Sequence, residues 1–126
     1  MRYFFAATIL MVCAGHVNAA WIQYGDNGKA EFFYEDSSII VSGNNASVLE
    51  MLNYSFPLKG VLSNRARKEY DCNAERYRTV AGEFFSGQRL TGERISSNID
   101  PEDPWRPVVE GTQNQVLMNI ICGASS

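Results

Sequence analysis

Two cysteines, Cys72 and Cys122, are left once the first 19 residues are discounted, and they tie the middle of the chain to its end. The discount rests on the opening "MRYFFAATILMVCAGHVNAA". It has one positive charge at Arg2, an apolar run from Tyr3 to about Ala14 that is too short to span a bilayer, and small residues ending in "VNA". That is the layout of a secretory signal peptide. Cleavage after Ala19 places Val17 and Ala19 at the recognition positions, so residues 1–19 are expected to be removed and 20–126 to form the exported domain. Val12, not a small residue, precedes Cys13, which argues against a lipoprotein. Cleavage removes Cys13 and the only histidine, His16. In an oxidising compartment Cys72 and Cys122 then pair. Their disulfide closes a loop of about 50 residues and should stabilise the fold by roughly 4 kcal/mol on the chain-entropy estimate.

What remains is one domain's length, with no second transmembrane candidate and no low-complexity linker. With 11 basic against 14 acidic residues, the net charge of −3 carries no footprint of a nucleic-acid binder. The chain reads as short strands broken by turn signals. "WIQYG" ends at "GDNG", "KAEFFYED" and "IIVSG" are separated by a turn at Asp36–Ser38, and "GNN" leads into "ASVLEMLNYSF". The last of these has a helical competitor in "SVLEML", but the turn spacing favours a strand. After Pro57 a looser stretch runs to about Asn64, and "NRARKEYDC" and "RYRTVAGEFFSG" then form a hairpin around "NAE". "GERISSN" is a further strand and "IDPEDPWRP" a stiff loop.

If Cys72 points inward, two-residue alternation sends Tyr70, Lys68 and Ala66 to its face and Arg65, Arg67, Glu69 and Asp71 to the other. From Val109 the period changes. Val109, Thr112, Val116, Leu117, Ile120 and Ile121 recur at three- and four-residue spacing, which predicts an amphipathic helix over 109–122 with Cys122 in its last turn. The fold class is therefore α+β: an antiparallel sheet of about six strands with one C-terminal helix clamped to it by the disulfide.

Catalysis finds little support. Without a histidine there is no Ser-His-Asp or Cys-His arrangement, no G-x-S-x-G elbow occurs, and zinc would have carboxylates alone. Asp100, Glu102 and Asp103 lack the glycine and closing glutamate of a calcium loop. No metal and no cofactor is expected. "NAS" at 45–47 and "NYS" at 53–55 are glycosylation sequons that matter only in a eukaryotic secretory host.

The wording of the blocks is more specific than their pattern. "FFYEDSSI", "EYDCNAERYRTVAGEFFSG", a following "GE", "PWRPVVEGT" and a terminal helix closing on "CG" together resemble the surface-adhesin protein E family of Gram-negative bacteria, from Trp21 to Gly123. The resemblance implies an antiparallel sheet with a helix on one face, held by Cys72 and Cys122. It also implies recognition of host extracellular-matrix or plasma proteins. The family's namesake is an outer-membrane lipoprotein, whereas this chain lacks a lipobox and many relatives resemble plain periplasmic proteins. The expected partner is accordingly a protein, either from the host matrix or an envelope component, with a homodimer as a further expectation. The candidate surface is the basic cluster Arg65, Arg67, Lys68, Arg76 and Arg78, with Tyr24 and Tyr77 beside it. Glu69, Asp71 and Glu75 lie among the same residues and compete by cross-strand pairing.

Overall fold

The structure is a computed structural model that describes residues 20 to 123; the expected signal peptide and the lipobox position lie outside the described residues. Six strands follow one another as an antiparallel meander in the order β1 (Trp21–Asp26), β2 (Ala30–Ser42), β3 (Asn45–Leu58), β4 (Val61–Asp71), β5 (Arg76–Phe85) and β6 (Arg94–Ile99). A seventh, two-residue strand β7 (Arg106–Pro107) pairs with the start of β5, and helix α1 (Gln113–Gly123) closes the chain. The stretch "ASVLEMLNYSF" is strand, inside β3.

Side-chain oxygens shape the turns. Asn27 Oδ1 accepts the N–H groups of Lys29 and Ala30, both at 2.9 Å, between β1 and β2. Asp71 Oδ1 accepts those of Asn73 and Ala74 at 3.2 and 3.0 Å, between β4 and β5. These short Asx bonds are why Asn and Asp recur at such corners.

Two expected breaks in the sheet are absent. Asp36–Ser38 is not a turn but an irregularity inside the continuous β2, where the pairing with β3 skips from Glu35 to Ile40. There Ser38 Oγ donates to the Glu35 carbonyl at 2.6 Å and accepts the Leu49 N–H at 2.8 Å, so a hydroxyl replaces the missing ladder bonds. The stretch after Pro57 is not loose either. β3 runs to Leu58, the chain turns at Lys59–Gly60 with φ of 50° and 81°, and β4 begins at Val61. Pro57, which has no N–H to give, falls where the β3–β4 register jumps from Asn53 to Leu58.

The helix also starts later than its period suggests. Thr112 Oγ1 donates to the Val109 carbonyl at 2.6 Å and lies 3.4 Å from the Gln115 N–H, which folds 109–112 into a cap and leaves Val109 exposed.

Cross-strand partners share a face, so the register sorts the core. On one face Ala46, Val48 and Tyr70 are buried under Leu117, Met118 and Ile121 of α1. Cys72 and Cys122 join there, with Cα atoms 5.8 Å apart, and fasten the helix's last turn to the end of β4. The opposite face carries a second small core, Phe33, Met51 and Ser63, at the other end of the sheet. It is capped by the loop between β5 and β6: Ser63 Oγ donates to the Gly87 carbonyl at 2.6 Å and accepts the Leu90 N–H at 2.8 Å. Gly92 is required in that loop, because its φ is +77° and a Cβ there would lie 2.9 Å from the Gly87 nitrogen.

Candidate protein-binding face

The β4–β5 register decides what the basic residues do. On the face away from α1, Asp71 stands opposite Arg76, Glu69 opposite Arg78, Arg67 opposite Ala81 and Arg65 opposite Glu83. Three of the four arginines are therefore paired. Arg76 Nη2 lies 3.1 Å from Asp71 Oδ2, Arg78 Nη2 2.8 Å from Glu69 Oε2, and Arg65 Nη2 2.5 Å from Glu83 Oε1. Arg94 approaches the other Glu83 oxygen at 3.6 Å. The N–H of Ala74 and then Arg76 hold the Asp71 carboxyl below the usual carboxylate range, and Arg65 does the same to Glu83. Arg67 alone among them has no ion pair with any described residue. It opens with Arg65 onto a shallow depression of about 320 Å³ floored by Leu49, Ala81 and Gly82.

Lys68, Tyr24 and Tyr77 are not on this face. Lys68 lies under the first turn of α1, where its Nζ is 3.1 Å from Glu50 Oε1 and 2.7 Å from Asn114 Oδ1. Tyr24 is part-buried and donates its hydroxyl to Glu50; burial first, and then the Glu50 charge, push its phenol far up. Tyr70 donates to Asn114 Oδ1 at 3.0 Å, and Tyr77 packs on Tyr70 with ring centroids 6.0 Å apart. These groups form a buried polar seam between sheet and helix. The five-residue basic cluster thus divides into Arg65, Arg67, Arg76 and Arg78 on the open face and Lys68 behind it.

The open face also holds a residue that the sequence did not single out. Trp105 lies between Arg76 and Arg78, whose guanidinium carbons are 4.8 and 4.4 Å from its ring. It arrives there because β7 pairs Arg106 with Tyr77 and Pro107 with Arg76. No local pattern marks that pairing; only "PWRP" following a turn hints at a short anchored segment. Half-buried tryptophan between arginines is the composition of an interface hot spot, a flat aromatic with fixed charges around it.

Among the described residues no group of three or more His, Cys, Asp or Glu side chains converges on one point. Asp103 instead accepts the Thr79 N–H at 3.3 Å and faces Arg106 at 3.8 Å, while Asp100 accepts the Glu102 N–H at 3.2 Å. No described helix is long and apolar enough to cross a membrane.

Comparison with known proteins places this geometry. The sequence profile of the family described as "Surface-adhesin protein E" matches residues 21–123. No curated protein matches the sequence. Among solved structures, crystal form II of Haemophilus influenzae protein E superposes with a TM-score of 0.60 at 17% identity, covering 86% of this chain and 91% of that one. Protein E from non-typeable Haemophilus influenzae gives 0.56 at 16% identity, covering 86% and 79%. At such identities the structural likeness establishes a shared fold.

Proposed function

The chain belongs to the surface-adhesin protein E family, and from that premise we propose that it is an exported, non-catalytic module that binds a protein ligand through the open face of its sheet. The family match over residues 21–123 carries this reading. The open face supplies its chemistry: Arg67 without an acid, Arg65 beside it, and Trp105 with the Arg76 and Arg78 guanidiniums over its ring. Fixed ion pairs give such a surface orientation, and the unpaired guanidinium gives it something to offer a carboxylate. The ligand class favoured by the family is a host extracellular-matrix or plasma protein. A second reading has one sequence observation behind it. With Val12 before Cys13 the chain is proposed to be exported without a lipid anchor, and an unanchored domain retained in the periplasm would bind an envelope component instead.

The two readings separate in one experiment. The domain from residue 20 onward is passed over immobilised host matrix and plasma proteins and, in parallel, over envelope extract. Intact cells are treated with protease in a matched sample. Saturable capture by a host protein, together with loss of the domain from protease-treated cells, supports the adhesin. Capture only from envelope extract with full protection in intact cells supports the periplasmic role. Absence of any saturable capture contradicts both.

A further inference from the structure

The helix is too short for the sheet it covers. Its 11 residues rise about 16 Å, whereas the 14 residues of β3 extend about 46 Å. Beyond the first turn of α1 the same face of the sheet continues uncovered as Leu52, Tyr54, Phe56 and Leu58, every second residue of β3, beside Ala30 and Phe32 of β2. These residues line a groove of about 570 Å³. That is within the range of about 300–1,000 Å³ typical of small-ligand sites. Phe56 is 75% exposed and Leu58 58% exposed, the extent expected of a wall that awaits an apolar occupant.

The charges around the groove are one-sided. Lys29 lines it, and Lys59 occupies the turn beside Leu58. Among the described residues the side chains of Lys29 and Lys59 make no ion pair, hydrogen bond or ring contact. Of the nearby acids, Asp26 and Glu31 belong to the other face, where Glu31 accepts a hydrogen bond from Asn53 at 3.0 Å, and Glu50, at the helix end of the same face, is already paired with Lys68 and Tyr24. A second hollow of about 410 Å³ shares Asn27, Phe32 and Leu52 and continues toward α1, so the apolar floor is longer than the groove alone.

The backbone around the groove limits what can lie in it. β2 and β3 are interior strands as far as the Ala30–Tyr54 pair, and only Phe56–Leu58 run past the start of β2, with Pro57 lacking an N–H, so an extended peptide laid along the groove finds at most a three-residue edge to bond. The ligand that fits needs no hydrogen bonds along its length and one negative charge at its end. We propose that this groove binds a single-chain anionic amphiphile of the long-chain fatty-acid class. Its alkyl chain lies over Phe32, Leu52, Tyr54, Phe56 and Leu58, and its carboxylate meets Lys29 and Lys59. This site is on the opposite face from Arg67 and Trp105 and is independent of the protein-binding reading.

The test uses the domain from residue 20 onward and cis-parinaric acid as the fluorescent probe, below its micelle concentration. Saturable binding of one probe per chain is expected, displaced by laurate and not by dodecyltrimethylammonium. Phe56→Ser/Leu58→Ser should weaken binding by about tenfold or more, since two apolar side chains leave the contact. Lys29→Ser/Lys59→Ser should weaken laurate about threefold, with the difference lost at 1 M salt. All four positions are exposed, so the variants are expected to keep the melting temperature of the parent. The proposal is overturned by absence of saturable binding, by equal displacement with the cationic detergent, or by binding that appears only with phosphatidylglycerol vesicles, which would mark a membrane surface instead.

Discussion

Arg67 of β4 stands opposite Ala81 of β5, while Arg65, Arg76 and Arg78 each face an acid across the same strand pair. Along this strand pair the open face is therefore a ladder of satisfied charges with one vacancy, at Arg67; Arg89, which lies over Phe33 further along the same face, also makes no ion pair among the described residues. Removing a paired arginine should act mainly on stability. Arg78→Ala deletes the 2.8 Å contact to Glu69 and one side of the Trp105 stack. The expected loss is about 1–2 kcal/mol in urea unfolding, the sum of a part-exposed ion pair and a cation–π contact.

The disulfide between Cys72 and Cys122 joins β4 to the last turn of α1. Thiol titration of the oxidised domain under denaturant should give essentially no free thiol. Cys122→Ser should lower stability by about 2–5 kcal/mol, as for native disulfides in small exported domains. Two reactive thiols per chain would contradict this pairing.

The Glu50–Lys68 pair predicts an asymmetry. The Glu50 side chain is 3% exposed and that of Lys68 14%. Lys68→Ala strands a buried carboxylate and should cost about 3–5 kcal/mol, whereas the double change Glu50→Leu/Lys68→Met should be much closer to neutral. A small loss in the Lys68→Ala variant would show that Glu50 draws its support from Tyr24 and not from Lys68.

Acid should erode the open face. Asp71 and Glu83 have carboxyls held below their ordinary values of 3.8 and 4.5. A depressed folded-state pKa stabilises the fold fully above the ordinary value, and the contribution is lost as pH falls through the lowered one. Stability should thus begin to drop below about pH 4.5 and continue until both groups bind protons in the folded state. Asp71→Asn/Glu83→Gln should flatten that slope in urea unfolding across the acid range; an unchanged slope would assign it to other carboxyls.

Much of this was legible beforehand for definite reasons. Two cysteines beyond residue 19 leave one intramolecular pairing, and the change from two-residue to three-and-four-residue spacing after Pro107 marks the helix. The alternation around Cys72 placed Lys68 with Tyr70 and apart from Arg65 and Arg67, as the register has it. What the sequence hid is non-local. Ser38 replaces ladder bonds with its hydroxyl, so "EDSS" resembles a turn yet lies inside a strand. Trp105 reaches the open face only because β7 pairs with β5, fewer than three residues of pairing that no periodicity announces. The groove behind Phe56 and Leu58 follows from a difference in length between α1 and β3, visible only once both are packed.

The central claim, that the open face recognises a protein ligand through its unpaired charge, is tested most directly by Arg65→Ser/Arg67→Ser. Affinity for a captured host matrix or plasma protein is measured across a salt series at a temperature where parent and variant are both fully folded, since the variant also loses the Arg65–Glu83 pair. The account predicts that the variant binds about tenfold or more weakly at low salt, that its salt dependence is shallower, and that the two proteins converge at high salt, where charges beyond about 3 Å are screened. Affinity and salt slope both unchanged in a folded variant would contradict it.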